Sequence, residues 1–401
     1  MSLLGVALVV AGCSGPGNVT LAPSAARPGT VKTLTMPGCS TQVAPTRNLA
    51  TVPTVMLALP GSPFGVVTTP DGAWSFVSLL SQIAVISDRS PGPTLVRTVP
   101  LPVGVQALGV TLTADGHTLL IASRAGVVVV DAFRAEQGGA DPVVGVLSSG
   151  QTGPAASAVE VSVSPDDAYA FVSLEYADAI AVFDLRAAAG MHHADSGFRG
   201  LIPLGRGVVG TAISPDGHWL YATSEIAAGH SPQVGQDSGT LSVIDLARAE
   251  SDPAHAVVAT VAAGCRPVRV AVTSQGTVVW VTARGSNTLL GFSAAALRGQ
   301  DPDHALVADV PVGEEPVGLA LVANGRRIIV ADSDRFHAPG AHAELSLVDP
   351  AAALAGRPAL LGSITAGDFP REMSLEPNGR ILLVTNYSSR QLEATDLSNL
   401  P

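Results

Sequence analysis

The chain has 401 residues, 47% of them hydrophobic and only 14% charged, with 42 Gly and 30 Pro. A net charge of −11, with Lys32 the sole lysine, excludes a nucleic-acid partner and leaves no polybasic anchor for anionic lipid. Length alone would suggest two or three domains, but internal repetition overrides that expectation.

Taken from the front, Leu3–Val10 is an apolar run of eight, too short to span a bilayer and suited to the central region of a signal peptide. It leads into Val10-Ala11-Gly12-Cys13-Ser14, which resembles a bacterial lipobox. The resemblance implies that Cys13 becomes the lipidated first residue of the mature chain. Two or three acyl chains there would hold the protein stably on a membrane at the cell envelope, outside the cytoplasm. The basic start of such signals is missing, so the true start could lie upstream; an ordinary secretory signal is the alternative. Cys39 and Cys265 then remain, and an extracytoplasmic setting permits a disulfide between them. Spacing alone leaves bridged and free thiols equally open, and the lack of a Cys-x-x-Cys pair argues against structural zinc.

Residues 14–50 are rich in Gly, Pro, Ser and Thr and read as a flexible tether, with Val31–Met36 as a stray strand. Thr54–Pro60 (TVMLALP) is the first convincing strand. Pro63–Ser87 then gives strand, Pro70-Asp71-Gly72 turn, strand, short polar loop and strand. The turn returns six times, ending at Gly116, Asp167, Gly217, Gly276, Gly325 and Gly379, in steps of 44, 51, 50, 59, 49 and 54 residues. Such a period with four strands per unit is the signature of propeller blades. The expected fold is therefore all-β, a seven-bladed β-propeller of four-stranded antiparallel blades over residues 51–401. Strands within a unit are lettered a to d from the axis outward. By this register Thr54–Pro60 is a d strand without its own a, b and c, while the last unit ends at Gln391–Leu397 without a d. These two strands are expected to pair and close the ring.

The b strands read WSFVSL, TLLIAS, YAFVSL, WLYATS, VVWVTA, IIVAD and ILLVTN, and the c strands include IAVISD, AVFDL, SVIDL and SLVDP. This resembles the YVTN-type propeller repeat, most closely at Leu383-Val384-Thr385-Asn386 and Leu241-Ser242-Val243-Ile244-Asp245. The resemblance implies kinship with surface-layer, periplasmic and lactonase-like propellers. It implies no single activity, so function must be argued from a site.

The c–d segments are Ala-rich and should form short helical turns. In Asp252–His255 and Asp301–His304 the Asp is expected to cap a turn, and His117 and His218 should be solvated. On the opposite face two b–c loops are enlarged, 225–239 and 332–343. They carry Glu225, His230, Asp237, Asp332, Asp334, Arg335, His337 and His342. The last loop offers ligand types for a divalent metal, without fixed spacing. Aligning the a strands gives a column of Gly65, Gly109, Glu160, Gly210, Arg269, Gly318 and Glu372. Glycine there suits crowded backbone at the axis. Glu160, Arg269 and Glu372, with Arg371 and Arg266 beside them, could bind a polar or anionic ligand in a central funnel. The plainer reading, favoured of the two, is that they form a hydrated ion-pair ring plugging the channel.

No G-x-S-x-G elbow, P-loop or G-x-G-x-x-G is present. The favoured expectation is a membrane-tethered module that binds a protein or a small anionic ligand through its loop face. A lactonase-like hydrolase would need Glu160 or Glu372 as base, with Arg269 or a metal as electrophile. A propeller carrying haem or quinone is a third expectation.

Overall fold

The computed structural model describes residues 34–40, 42–44, 47–49, 52–89, 92–189, 197–229, 237–336 and 342–401. Cys13, the signal segment and residues 14–33 of the expected tether lie outside the described residues, as do His230 and His337. Seven four-stranded antiparallel sheets form the β-propeller. Blade 4, for example, runs Arg206–Ile213 (a), Trp219–Ile226 (b), Ser238–Asp245 (c) and Val257–Cys265 (d).

The b and c strands are apolar on both faces because every blade is covered on both sides. Seven apolar clusters each join two neighbouring blades: Phe76, Val85, Leu119 and Val130 link blades 1 and 2, and Leu383, Leu392, Val77 and Ile86 link blades 7 and 1. At the inner edge the packing is closer still. A Cβ on Gly109 would sit 2.5 Å from the Val159 carbonyl oxygen of the next blade, and one on Gly318 or Gly210 would overlap the equivalent carbonyl. Only glycine allows that approach.

A hydroxyl thirteen residues after this position ties blade to blade. Thr223 Oγ1 accepts from Gly210 N (3.0 Å) and donates to Val268 O of blade 5 (3.1 Å). Ser78, Ser173, Thr282 and Thr385 repeat the arrangement, Thr385 reaching Phe64 O of blade 1. In blades 2 and 6 the position is Ala122 and Ala331.

The ring closes as expected. Thr54–Ala58 pairs antiparallel with Gln391–Asp396, with Thr54 opposite Thr395 and Met56 opposite Glu393. The c–d segments contain the helical turns α1 (Ala132–Gln137), α2 (Leu185–Ala189), α3 (Leu246–Ser251), α4 (Ala294–Leu297) and α5 (Pro350–Leu354). The Asp ending many c strands has a physical role there: Asp131 and Asp245 accept the backbone N–H three residues on, capping α1 and α3.

Three expectations need correction. The stretch before the first blade is no free tether as far as Ala50. Cys39 is bonded to Cys265, Ser40 N donates to Gly285 O and Ala44 N to Val312 O, and Leu49 N and Ser363 N exchange bonds with Ser363 O and Arg47 O. Leu34–Met36 form no strand; Met36 packs on the core between blades 4 and 5. The backbone groups of this strap find partners on the propeller, which fastens it. In the Asp-Pro-x-His turns the Asp side chain does not cap. Asp252 and Asp301 instead meet their own His255 and His304, at 3.0 and 2.8 Å between oxygen and Nδ1. His117 and His218 are exposed, as expected.

Candidate functional site: the axial funnel on the loop face

The d–a and b–c loops surround a funnel of about 470 Å3 on the axis. Its neck is a collar contributed by the residue preceding the glycine-rich column in each a strand. Six of these are apolar, Phe64, Leu108, Val159, Val209, Val268 and Val317, and the seventh is Arg371. The blade-to-blade hydroxyls hold the carbonyls of five collar residues, so the neck is braced by the ring itself.

Arg371 is unusual among the cations of the site. Its guanidinium carbon lies 3.8 Å from the Phe64 ring centroid, 4.9 Å from Phe369 and 5.7 Å from Tyr387. Its Nε is buried without a hydrogen-bond partner. Burial and the neighbouring Arg269 cation push the guanidinium down to about 9, so it stays charged at neutral pH. Aromatic faces hold a cation without neutralising it.

One residue deeper, the predicted charged column does converge. Arg269 donates through Nε to Glu372 Oε1 at 2.8 Å and through Nη2 to the same oxygen. Glu160 Oε2 is farther, 3.7 Å from Arg269 Nε, and has no hydrogen-bond partner. Because Arg269 is committed to Glu372, desolvation dominates at Glu160 and raises its carboxyl to about 7. The side chains of Glu160 and Glu372 retain 24% and 18% exposure, so the plug is not sealed. Arg269 reaches the funnel wall; Glu160 and Glu372 do not. That geometry does not support either as a general base facing a substrate in the funnel.

The other expected residues are dispersed. Arg266 does not join the column but pairs with Glu225 (3.4 Å) and Asp237. Glu225 also accepts from Arg284 at 2.8 Å and lines the funnel. Asp332 ends the b strand of blade 6, fully buried, with Oδ2 accepting from Ser346 at 2.6 Å; burial holds its carboxyl well above the usual range. Asp334 is buried and His342 exposed. Both aspartates are thus buried rather than presented on the loop surface. Among the described residues no group of three or more His, Cys, Asp or Glu could hold a metal ion.

Several funnel residues escaped the sequence reading: Arg124, Glu175, Tyr176, Arg284, Phe369 and Tyr387. A signal existed. Fifteen residues after the glycine-rich column stand Leu80, Arg124, Glu175, Glu225, Arg284, Ser333 and Tyr387, and all but Ser333 line the funnel. Five arginines (124, 269, 284, 335 and 371) face two glutamates (175 and 225) there. Arg269 and Arg284 are paired with Glu372 and Glu225, so among the described residues Arg124, Arg335 and Arg371 face Glu175, two positive charges in excess, inside a chain of net charge −11.

No family model and no curated protein matches the sequence. Among solved structures, the chain is similar to a chain of Kuenenia stuttgartiensis hydrazine synthase, at 18% identity and a TM-score of 0.63, covering 86% of this chain and 97% of that one. It is also similar to a chain in a mitotic checkpoint complex, at 15% identity and a TM-score of 0.62, covering 96% and 98%. At these identities the likeness concerns the propeller fold alone.

Proposed function

We propose that this protein is a binding module of the YVTN type, tethered outside the cytoplasm through lipid on Cys13, that captures a small anionic ligand in its loop-face funnel. The observation that carries the ligand class is Arg371, a half-buried cation held by three aromatic rings with no carboxylate in contact among the described residues, at the neck of an electropositive funnel. An anion entering the neck would replace lost hydration with charge-assisted hydrogen bonds, and its apolar body would meet the collar. The Cys39–Cys265 bond supports an oxidising compartment.

The test is calorimetric titration of the purified protein with benzoate, indole-3-acetate, succinate and phosphate, beside neutral benzamide. Binding of at least one anion, weakened more than about tenfold in Arg371→Met, is the expected result. Equal affinity for benzoate and benzamide, or unchanged binding in the variant, would overturn the reading.

A further inference from the structure

A second cavity, of about 790 Å3, lies away from the funnel between blades 2 and 3, on the side of the a–b turns and c–d helices. Its origin can be traced to one position in the repeat. In blades 1, 3 and 4 the first residue of the b strand is aromatic and packs toward the c–d helix of the following blade, whereas blades 5, 6 and 7 begin theirs with Val278, Arg327 and Ile381. Trp74 does so on the core containing Ala132 and Ala135 of α1, Tyr169 on that of Leu246 and Ala249 of α3, and Trp219 on that of Leu297 of α4. In blade 2 the residue is Thr118. The helix it faces, α2, contributes Leu185, Arg186 and Ala188 to the cavity wall, and Leu120, Val129 and Leu147 form the floor. The space that blade 1 fills with an indole is thus left open here among the described residues.

The rim decides the charge. Asp115, Asp131 and Asp167 border the cavity with His117 and Arg186; Asp131 is paired with Arg134 and Arg186 with Asp166, each at 3.2 Å, which leaves Asp115 and Asp167 as the carboxylates without an ion pair among the described residues. This is opposite in sign to the funnel. Elsewhere in the same molecule a cation accompanies the indole at this place: Arg298 lies 5.5 Å over the Trp219 ring and Arg89 5.8 Å over Trp74.

We propose that the cleft between blades 2 and 3 is a separate binding site for a small aromatic cation, whose ring occupies the place of the missing tryptophan. The ring would bury against the apolar floor and Phe133, and its ammonium would face the rim carboxylates.

Tryptamine, indole and indole-3-acetate are the probes, and Thr118→Trp the decisive variant, since it restores the residue that blades 1 and 4 carry. Tryptamine should bind the wild-type protein more tightly than indole. Thr118→Trp should raise the melting temperature, raise the tryptamine Kd more than about tenfold and leave anion binding in the funnel unchanged. Asp167→Asn keeps the turn, because Asn tolerates the positive φ of 55° there. It should weaken tryptamine several-fold while leaving indole unaffected, and it serves if the Trp variant does not fold. Failure of tryptamine to bind, unchanged binding in a folded Thr118→Trp protein, or equal loss of indole and tryptamine in Asp167→Asn would each overturn the assignment.

Discussion

The guanidinium of Arg371 sits 3.8 Å from the ring centroid of Phe64, a contact made across the junction between the last blade and the first. The two residues occupy the same collar position in their blades, so ring closure brings them together. A half-buried cation with its Nε unpartnered and no carboxylate in contact among the described residues costs stability that the aromatic contacts only partly offset. Arg371→Met should therefore leave thermal stability unchanged or raise it, within about 1 kcal/mol, while anion binding is lost. A fall in melting temperature of many degrees would mean that the arginine is there to hold the ring.

Glu160 predicts a pH dependence. Its carboxyl is raised to about 7 in the folded protein, chiefly by burial, from an ordinary value of 4.5. A raised acid favours folding when neutral, so this contribution is complete below about pH 4.5 and is lost as pH rises through 7. Asp88, raised to about 6 by burial, acts in the same direction. Denaturant titrations from pH 4.5 to 8 should show stability declining, and Glu160→Gln should flatten the slope between about 5 and 7. An unaltered slope in that variant would refute the assignment.

The Cys39–Cys265 bond joins residues 226 apart and anchors the strap to blades 4 and 5. Cys39→Ser and Cys265→Ser, or reduction of the native protein, should each cost roughly 2–5 kcal/mol. Because the strap also bonds to Gly285 and Val312, proteolysis should then cut first within residues 34–49 and leave the blades intact. Simultaneous loss of all blades at low protease would contradict this order.

Thr223 is fully buried and bridges Gly210 N to Val268 O. Thr223→Val keeps the volume and removes both bonds. It should destabilise by about 1–3 kcal/mol through the groups left unsatisfied. Urea denaturation measures this directly; a change within error would show that backbone pairing alone holds the blades together.

Much of this molecule can be read from the chain because a blade is a local object. The turn residues, the doubly apolar b and c strands and the glycine-rich column recur at nearly constant spacing, so each copy tests the others. The same arithmetic identifies Thr54–Pro60 as a d strand and sets it against Gln391–Leu397. It also places Glu160, Arg269 and Glu372 on one ring at one depth.

What the repeat does not encode is which side chains meet across the axis. Arg269 takes Glu372 and leaves Glu160 at 3.7 Å, while Arg266, three positions earlier, turns to Asp237 and Glu225. Those choices depend on side-chain reach and desolvation between blades far apart in sequence. Fold and register were thus determined residue by residue, through periodicity and turn chemistry. The charged funnel, the fastened strap and the gap beside Thr118 were decided only when seven sheets closed on one axis, because burial and partnership are properties of the closed ring.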